Sequence, residues 1–149
     1  MNNNEKTVQL DTKETLSDLT YMVNSGWDKS EVDDGYYYYP DTTCMLYFYA
    51  NEAPVEIADD AFFQLFIINF LEKNQNAEYL NVSSSEVLGV PSKIWSINQT
   101  IDSELYEIRM QVFIYDYQAY NFLILHKDFI PDEQLQCFSQ IIDSIEIKD

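Results

Sequence analysis

Arginine occurs once in this 149-residue chain, histidine once, and cysteine twice. Eight basic residues face 26 acidic ones, for a net charge of −18. Nucleic-acid binding depends on neutralising phosphates with Lys and Arg, so the shortage of cations argues strongly against nucleic acid. It argues against an anionic membrane surface for the same reason. A basic protein partner or a cation stays open as the counterpart of the charge; solubility through self-repulsion is the plainer account. Cys44 and Cys137 match no CxxC or zinc spacing. They either pair in an oxidising compartment or sit as two buried thiols. No stretch approaches the ~20 apolar residues of a membrane-spanning helix. The opening MNNNEK has no apolar signal-peptide core. It looks like a start residue set on a polar tether, and we expect an export segment to have been trimmed from the native form.

Catalytic signatures are missing too. His126 would need a nucleophile and an orienting partner to act as a general base. Ser83 to Ser85 lack the GxSxG elbow of a nucleophilic serine. The acidic pairs Asp33-Asp34 and Asp59-Asp60 do not have EF-hand spacing and read as solvated turn and helix-start charges. Asn81-Val-Ser83 and Asn98-Gln-Thr100 fit the glycosylation pattern, a triplet that chance produces often. The chain is therefore not expected to be an enzyme, and no cofactor or metal is expected.

What is present is apolar and aromatic. The apolar fraction is 46%, with twelve Tyr and nine Phe. A domain of this size buries roughly 70% of its unfolded surface, enough for a core without metals or disulfides. The expected organisation is a disordered polar tail over residues 1–12 and a single domain over residues 13–149.

The domain is organised around Glu104 to Lys127. Tyr106, Ile108, Met110, Val112 and Ile114 alternate with Glu107, Arg109 and Gln111. A period of two predicts a strand. A second strand follows a turn near Asp116 to Ala119. There Tyr120, Phe122 and Ile124 share one face and Leu123 and Leu125 the other, so it lies inside the sheet. Earlier, Thr15 to Asn24 reads as a short helix stopped near Gly26, with an extended entry into the sheet as the alternative. Residues 26–30 and 36–39 flank the acidic turn Glu31 to Gly35 as a hairpin. Thr43 to Ala50 is an apolar, sheet-interior strand, and Asn51 to Ile57 a loop holding Pro54.

Asp59 and Asp60 then precede a helix over Ala61 to Leu71, where acidic residues offset the helix dipole. Phe62, Phe66 and Phe70 recur at helical spacing beside Phe63, Ile67 and Leu71. Leu65 and Ile68 widen that stripe, which predicts a second cover on the helix from the N-terminal segment. Strands are expected at 82–87 and 92–101, the latter pairing with the next strand through Asp102-Ser103. Pro131 starts a last helix whose apolar face is Leu135, Phe138, Ile141, Ile142 and Ile145. Ser144 to Ile147 closes the chain as a brief strand. Neighbouring strands on short turns predict an α+β fold, a mostly antiparallel sheet of about six or seven strands covered by helices.

Four pieces of the chain resemble the PsbP-like superfamily, which includes the Mog-type Ran-binding proteins and small bacterial lipoproteins. They are the tryptophan-bearing opening GWDKS…YYYYP, the amphipathic helix after the third strand, Gly89-Val90-Pro91-Ser92-Lys93 leading into long strands, and the ending IIDSIEIK. Together they span Trp27 to Ile147. The resemblance implies an α/β/α sandwich and a mostly non-enzymatic role in binding proteins or supporting assemblies. For the lipoprotein members it implies an acyl anchor outside the membrane, although this sequence lacks the anchoring Cys. Some photosystem members bind metal ions, but no ligand motif carries over.

The tyrosines supply the one candidate site. Tyr36, Tyr37, Tyr38 and Tyr39 are followed by Tyr47 and Tyr49 in the adjoining strand, more than alternation can bury. Beside Asp33 and Asp34 they form a candidate partner-binding surface, since Tyr is favoured at interface centres. Aromatic cover over a small sheet is the other reading. The expected function is a non-enzymatic binding domain of a bacterial, surface-anchored protein, engaging a protein partner or a small ligand. The alternative is a cytosolic acidic binding protein, such as an immunity protein or secretion chaperone, whose charge steers a basic partner.

Overall fold

The computed structural model describes residues 9–53 and 58–149. Its elements, in chain order, are β1 (Thr12–Leu16), β2 (Leu19–Val23), β3 (Asp28–Val32), β4 (Gly35–Asp41), β5 (Cys44–Glu52), α1 (Asp59–Lys73), β6 (Ala77–Val87), β7 (Val90–Ile101), β8 (Glu104–Tyr115), β9 (Gln118–Lys127), α2 (Asp132–Asp143) and β10 (Glu146–Ile147). Seven strands form one antiparallel sheet in the order β3-β4-β5-β9-β8-β7-β6. A second, three-stranded sheet has the order β1-β2-β10. The fold class is α+β, as the strand runs predict.

Alternation sorts the large sheet's side chains into two cores. On one face, Ile108, Met110, Val112 and Leu123 pack with Trp95, Ile97 and Phe63 of α1. On the other, Phe48, Phe113, Tyr120, Phe122 and Ile124 pack with Phe138, Ile141 and Ile142 of α2 and with Leu16, Leu19, Tyr21 and Val23 of the small sheet. Each fully buried Leu, Ile or Phe contributes about 1.5–3 kcal/mol. Strand β9 is central, between β5 and β8, as its two apolar faces imply.

The meander β6-β7-β8-β9 turns on residue pairs with positive φ: Leu88-Gly89 (54°, 78°), Asp102-Ser103 (51°, 68°) and Asp116-Tyr117 (49°, 65°). That geometry is the type I′ turn, whose twist matches the flanking strands. Only one of the three turns uses glycine. Gly35 is required for a different reason: a Cβ there would meet the Phe48 carbonyl oxygen at 1.9 Å and the Tyr49 Cα at 2.7 Å.

Two expectations are corrected. Thr15 to Asn24 is not a helix. It holds the end of β1, a turn at Ser17-Asp18 with Ser17 at φ 56°, and β2. Leu19, Tyr21 and Val23 follow a period of two, and all are buried. The second correction concerns the outer side of α1: Leu65 and Ile68 are 50% and 49% exposed. The N-terminal strands that were expected to cover them pack on the opposite face of the large sheet.

Residues 1–8 of the expected tail lie outside the described residues, as do 54–57 of the expected loop. Asp11 donates its N–H to the Val23 carbonyl, and Thr12 opens β1.

Candidate functional site

Alternation divides the four consecutive tyrosines into two pairs. Tyr36 and Tyr38 point toward the α2 side, where Tyr38 is 1% exposed. Its hydroxyl lies 2.7 Å from that of Tyr21 and donates to Glu14 at 3.3 Å. Glu14 is ion-paired with Lys29, whose ammonium sits 4.5 Å from the centre of the Tyr36 ring. Tyr36 and Tyr38 are thus structural: they lock the small sheet to β3 and β4.

Tyr37 and Tyr39 project from the other face and meet Tyr47 and Tyr49 of β5. Register sets Tyr37 opposite Tyr47, and their rings stack at 4.2 Å and 5°. Tyr39 extends the ladder from Tyr37 at 6.3 Å and 10°, and Tyr49 extends it from Tyr47 at 4.6 Å and 27°. Such pairs are worth about 0.5–1.5 kcal/mol each beyond area burial. Tyr39 is the open end of the ladder, at 40% exposure.

The ladder is held at Tyr47 and Tyr49. The Tyr47 hydroxyl donates to Asp34 Oδ1 at 2.8 Å. Burial, and then the Asp34 carboxylate, push the Tyr47 phenol upward, so it stays a donor at neutral pH. Asn121 is 2% exposed and donates to the Tyr49 hydroxyl at 2.9 Å. Burial raises Tyr49 as well, against the opposing effect of that hydrogen bond. Among the described residues, Asn121 Oδ1 has no partner.

Asp33 and Asp34 form the β3–β4 turn. With Glu31, Thr15 and Ser17 they line a shallow cleft of about 300 Å³. Of the candidate residues, the structure therefore brings Tyr37, Tyr39, Tyr47, Tyr49 and Asp34 together on one face and places Tyr36 and Tyr38 on the other. Asn121 was not singled out by sequence reasoning. Its signal is an amide in the middle of a strand otherwise apolar on both faces.

The remaining chemical groups are tied into the scaffold. His126 Nδ1 donates to the Lys127 carbonyl at 2.9 Å, and Nε2 lies 3.4 Å from Thr43 Oγ1. Thr43 donates through that hydroxyl to Asp41 at 2.6 Å. This bond is the main reason the Asp41 carboxyl lies below its ordinary value. Cys44 and Cys137 are free and buried. Burial, with Asp41 and Cys137 nearby, pushes the Cys44 thiol up to about 12, and burial pushes Cys137 up to about 11. Neither is a thiolate nucleophile at neutral pH. Among the described residues, no group of three or more His, Cys, Asp or Glu is placed to hold a metal ion. No helix among them is long and apolar enough to cross a membrane.

Comparison with solved structures recognises this arrangement. The solution structure of the cyanobacterial PsbP protein CyanoP, from Synechocystis, superposes with a TM-score of 0.72 at 12% identity, covering 99% of this chain and 97% of that one. The fold is PsbP-like. A mutant of the protein Mog1 has the same PsbP-like arrangement, with a TM-score of 0.66 at 11% identity over 93% of this chain and 96% of that one. LpqN, described as involved in cell envelope biogenesis of Mycobacterium tuberculosis, matches with a TM-score of 0.60 at 12% identity over 88% and 83%. No family model matches the sequence, and no curated protein does. At these identities the likeness establishes the PsbP-like sandwich and nothing finer.

Proposed function

We propose that this chain is a non-enzymatic binding domain of a bacterial protein that works outside the cytoplasmic membrane, anchored there in its native form, and engages a protein partner. The observation that carries the reading is the tyrosine ladder. Tyr37, Tyr39, Tyr47 and Tyr49 are stacked before any partner arrives, so little side-chain entropy is lost on binding. Asp33 and Asp34 at one margin give the surface an acidic edge, which favours a partner presenting Lys or Arg. The buried thiols and the backbone-tied His126 support a role without catalysis. LpqN supports the location, since it shares the fold and is described with the cell envelope.

Two experiments test this. Native cells are fractionated with and without surface protease; membrane-associated, protease-accessible protein is expected, and protein confined to the cytosol overturns the location. A photo-cross-linking residue is placed at Tyr39 and, as a control, at Tyr117, which is exposed outside the ladder. A cross-linked partner is expected from position 39 alone.

A charge of −18 favours a second reading, a cytosolic acidic protein that steers a basic partner. Its mark is binding that weakens steeply with salt.

A further inference from the structure

The two edges of the large sheet are built differently. Strand β3 is five residues long, and three of them, Asp28, Lys29 and Glu31, are charged. Short, charged edges resist pairing with another chain. Strand β6 is eleven residues long, is bonded on one side only, to β7, and is exposed from Glu78 to Glu86. After an irregularity between Tyr79 and Asn81, its pairing with β7 runs without interruption from Asn81 to Val87. Alternate residues of this seven-residue run therefore present a regular row of N–H and C=O groups with no strand beside them among the described residues. No charge, proline or glycine lies between Tyr79 and Ser85.

A groove of about 410 Å³ lies between this edge and α1. Ile67, Trp95, Tyr79 and Val82 give it an apolar floor and sides, with Asp60 on the helix wall and Lys93 beside β6. Lys93 is occupied, donating to Ser84 Oγ at 2.8 Å. Register sets Val82 opposite Trp95 and Tyr79 opposite Ile97, so alternate side chains of an added strand would lie under α1 beside them.

We infer that β6 and this groove form a docking site for an extended, cationic segment of a partner protein, about seven residues long, which adds an eighth strand to the sheet. Backbone hydrogen bonds to β6 supply register, and alternate small apolar side chains enter the groove. Charge selects the occupant. Glu78 and Glu86 stand near the two ends of the strand and Asp60 above it, on a chain of net charge −18. Lys or Arg toward both ends of the segment would complement them. A second copy of the chain fits worse: antiparallel pairing of two β6 strands about Val82 sets Glu78 against Glu86 twice, and like charges directly opposite destabilise a strand pair. This site does not depend on the tyrosine ladder.

The probe is the capped heptapeptide Lys-Thr-Val-Ser-Val-Thr-Lys, titrated into the full chain and followed by amide chemical shifts. Shifts should concentrate in β6 and the groove-facing turns of α1. N-methylation of alternate peptide amides in one phase should weaken binding by about tenfold or more, and in the other phase leave it within about twofold, because only every second amide faces β6. A version ending in Glu should bind about tenfold weaker, as should the Val82→Lys variant, whose exposed position leaves the fold intact. Tyr39→Ala should leave binding unchanged.

Four results overturn the inference: no saturable binding below about 1 mM, equal effects of both methylation phases, shifts centred on the ladder, or concentration-dependent dimers abolished by Val82→Lys without any peptide binding.

Discussion

The hydroxyl chain that joins the small sheet to the large one makes a quantitative prediction. Tyr21 and Tyr38 are each 1% exposed, and their hydroxyls are 2.7 Å apart. Tyr38 also reaches Glu14, which Lys29 pairs. Replacing Tyr38 by Phe leaves the Tyr21 hydroxyl buried with no acceptor and removes a donor from Glu14. An unsatisfied buried group costs about 1–3 kcal/mol, so about 2 kcal/mol is expected. Replacing Tyr21 by Phe leaves Tyr38 bonded to Glu14 and should cost about 1 kcal/mol. The double variant strands neither hydroxyl and should also cost about 1 kcal/mol, falling about 2 kcal/mol short of additivity. Urea unfolding of the four proteins at pH 7 measures this cycle. In thermal unfolding, Tyr38→Phe should lower the midpoint by about 4–8 °C for a chain of this length. Additivity within about 0.5 kcal/mol, or a larger loss for Tyr21→Phe than for Tyr38→Phe, refutes the argument.

Three further outcomes are expected. Cys44 and Cys137 have thiol values raised from 9.0 to about 12 and about 11. They ionise first in the unfolded chain, so their stabilisation is full below pH 9 and is lost as pH rises above it. Between pH 8 and 10 the loss is about 1.4 kcal/mol per thiol, and denaturation of a Cys44→Ala, Cys137→Ala variant should show a correspondingly shallower slope against pH. Phe63→Ala should cost about 3–5 kcal/mol. Ile68→Lys on the open side of the same helix should cost under about 1 kcal/mol, and urea midpoints of the two compare them directly. Gly35→Ala forces a Cβ onto the β5 backbone and should cost about 3 kcal/mol or more, read as lost soluble yield or a lowered midpoint.

Much of the fold was legible wherever one periodicity ran unbroken. In β8 the alternation of Ile108, Met110 and Val112 named one buried face, and in α2 the spacing of Phe138, Ile141 and Ile142 did the same. The region from Thr15 to Asn24 defeated the reading because ten residues containing Leu16, Leu19, Tyr21, Met22 and Val23 suit either period. The choice was made by distant partners, Tyr38 for Tyr21 and β10 for β2. The apolar width of α1 suggested a second cover, yet Leu65 and Ile68 remain open. Of the candidate site, alternation announced that some tyrosines face out. It did not say which, because the hairpin's phase depends on the β4–β5 register. The ladder itself needed that register to place Tyr37 on Tyr47, and Asn121 needed the pairing of β9 with β5 to fall opposite Tyr49.

The pairing of β5 with β9 also governs how the chain reaches this state. The meander from β6 to β9 closes through three tight turns, so its contacts are local and are expected to form first. Joining β5 to β9 sets Cys44 opposite His126 and Glu52 opposite Gln118, across more than sixty residues of sequence. That closure is slow, since its entropy is lost before its contacts are gained. Until it happens, β9 is a bare edge, apolar on both sides, and such an edge recruits other chains. Every nascent copy meanwhile carries the same charge of −18. Like charge on every copy opposes association of chains whose sheet is half made, so refolding yield is expected to fall as added salt screens that charge.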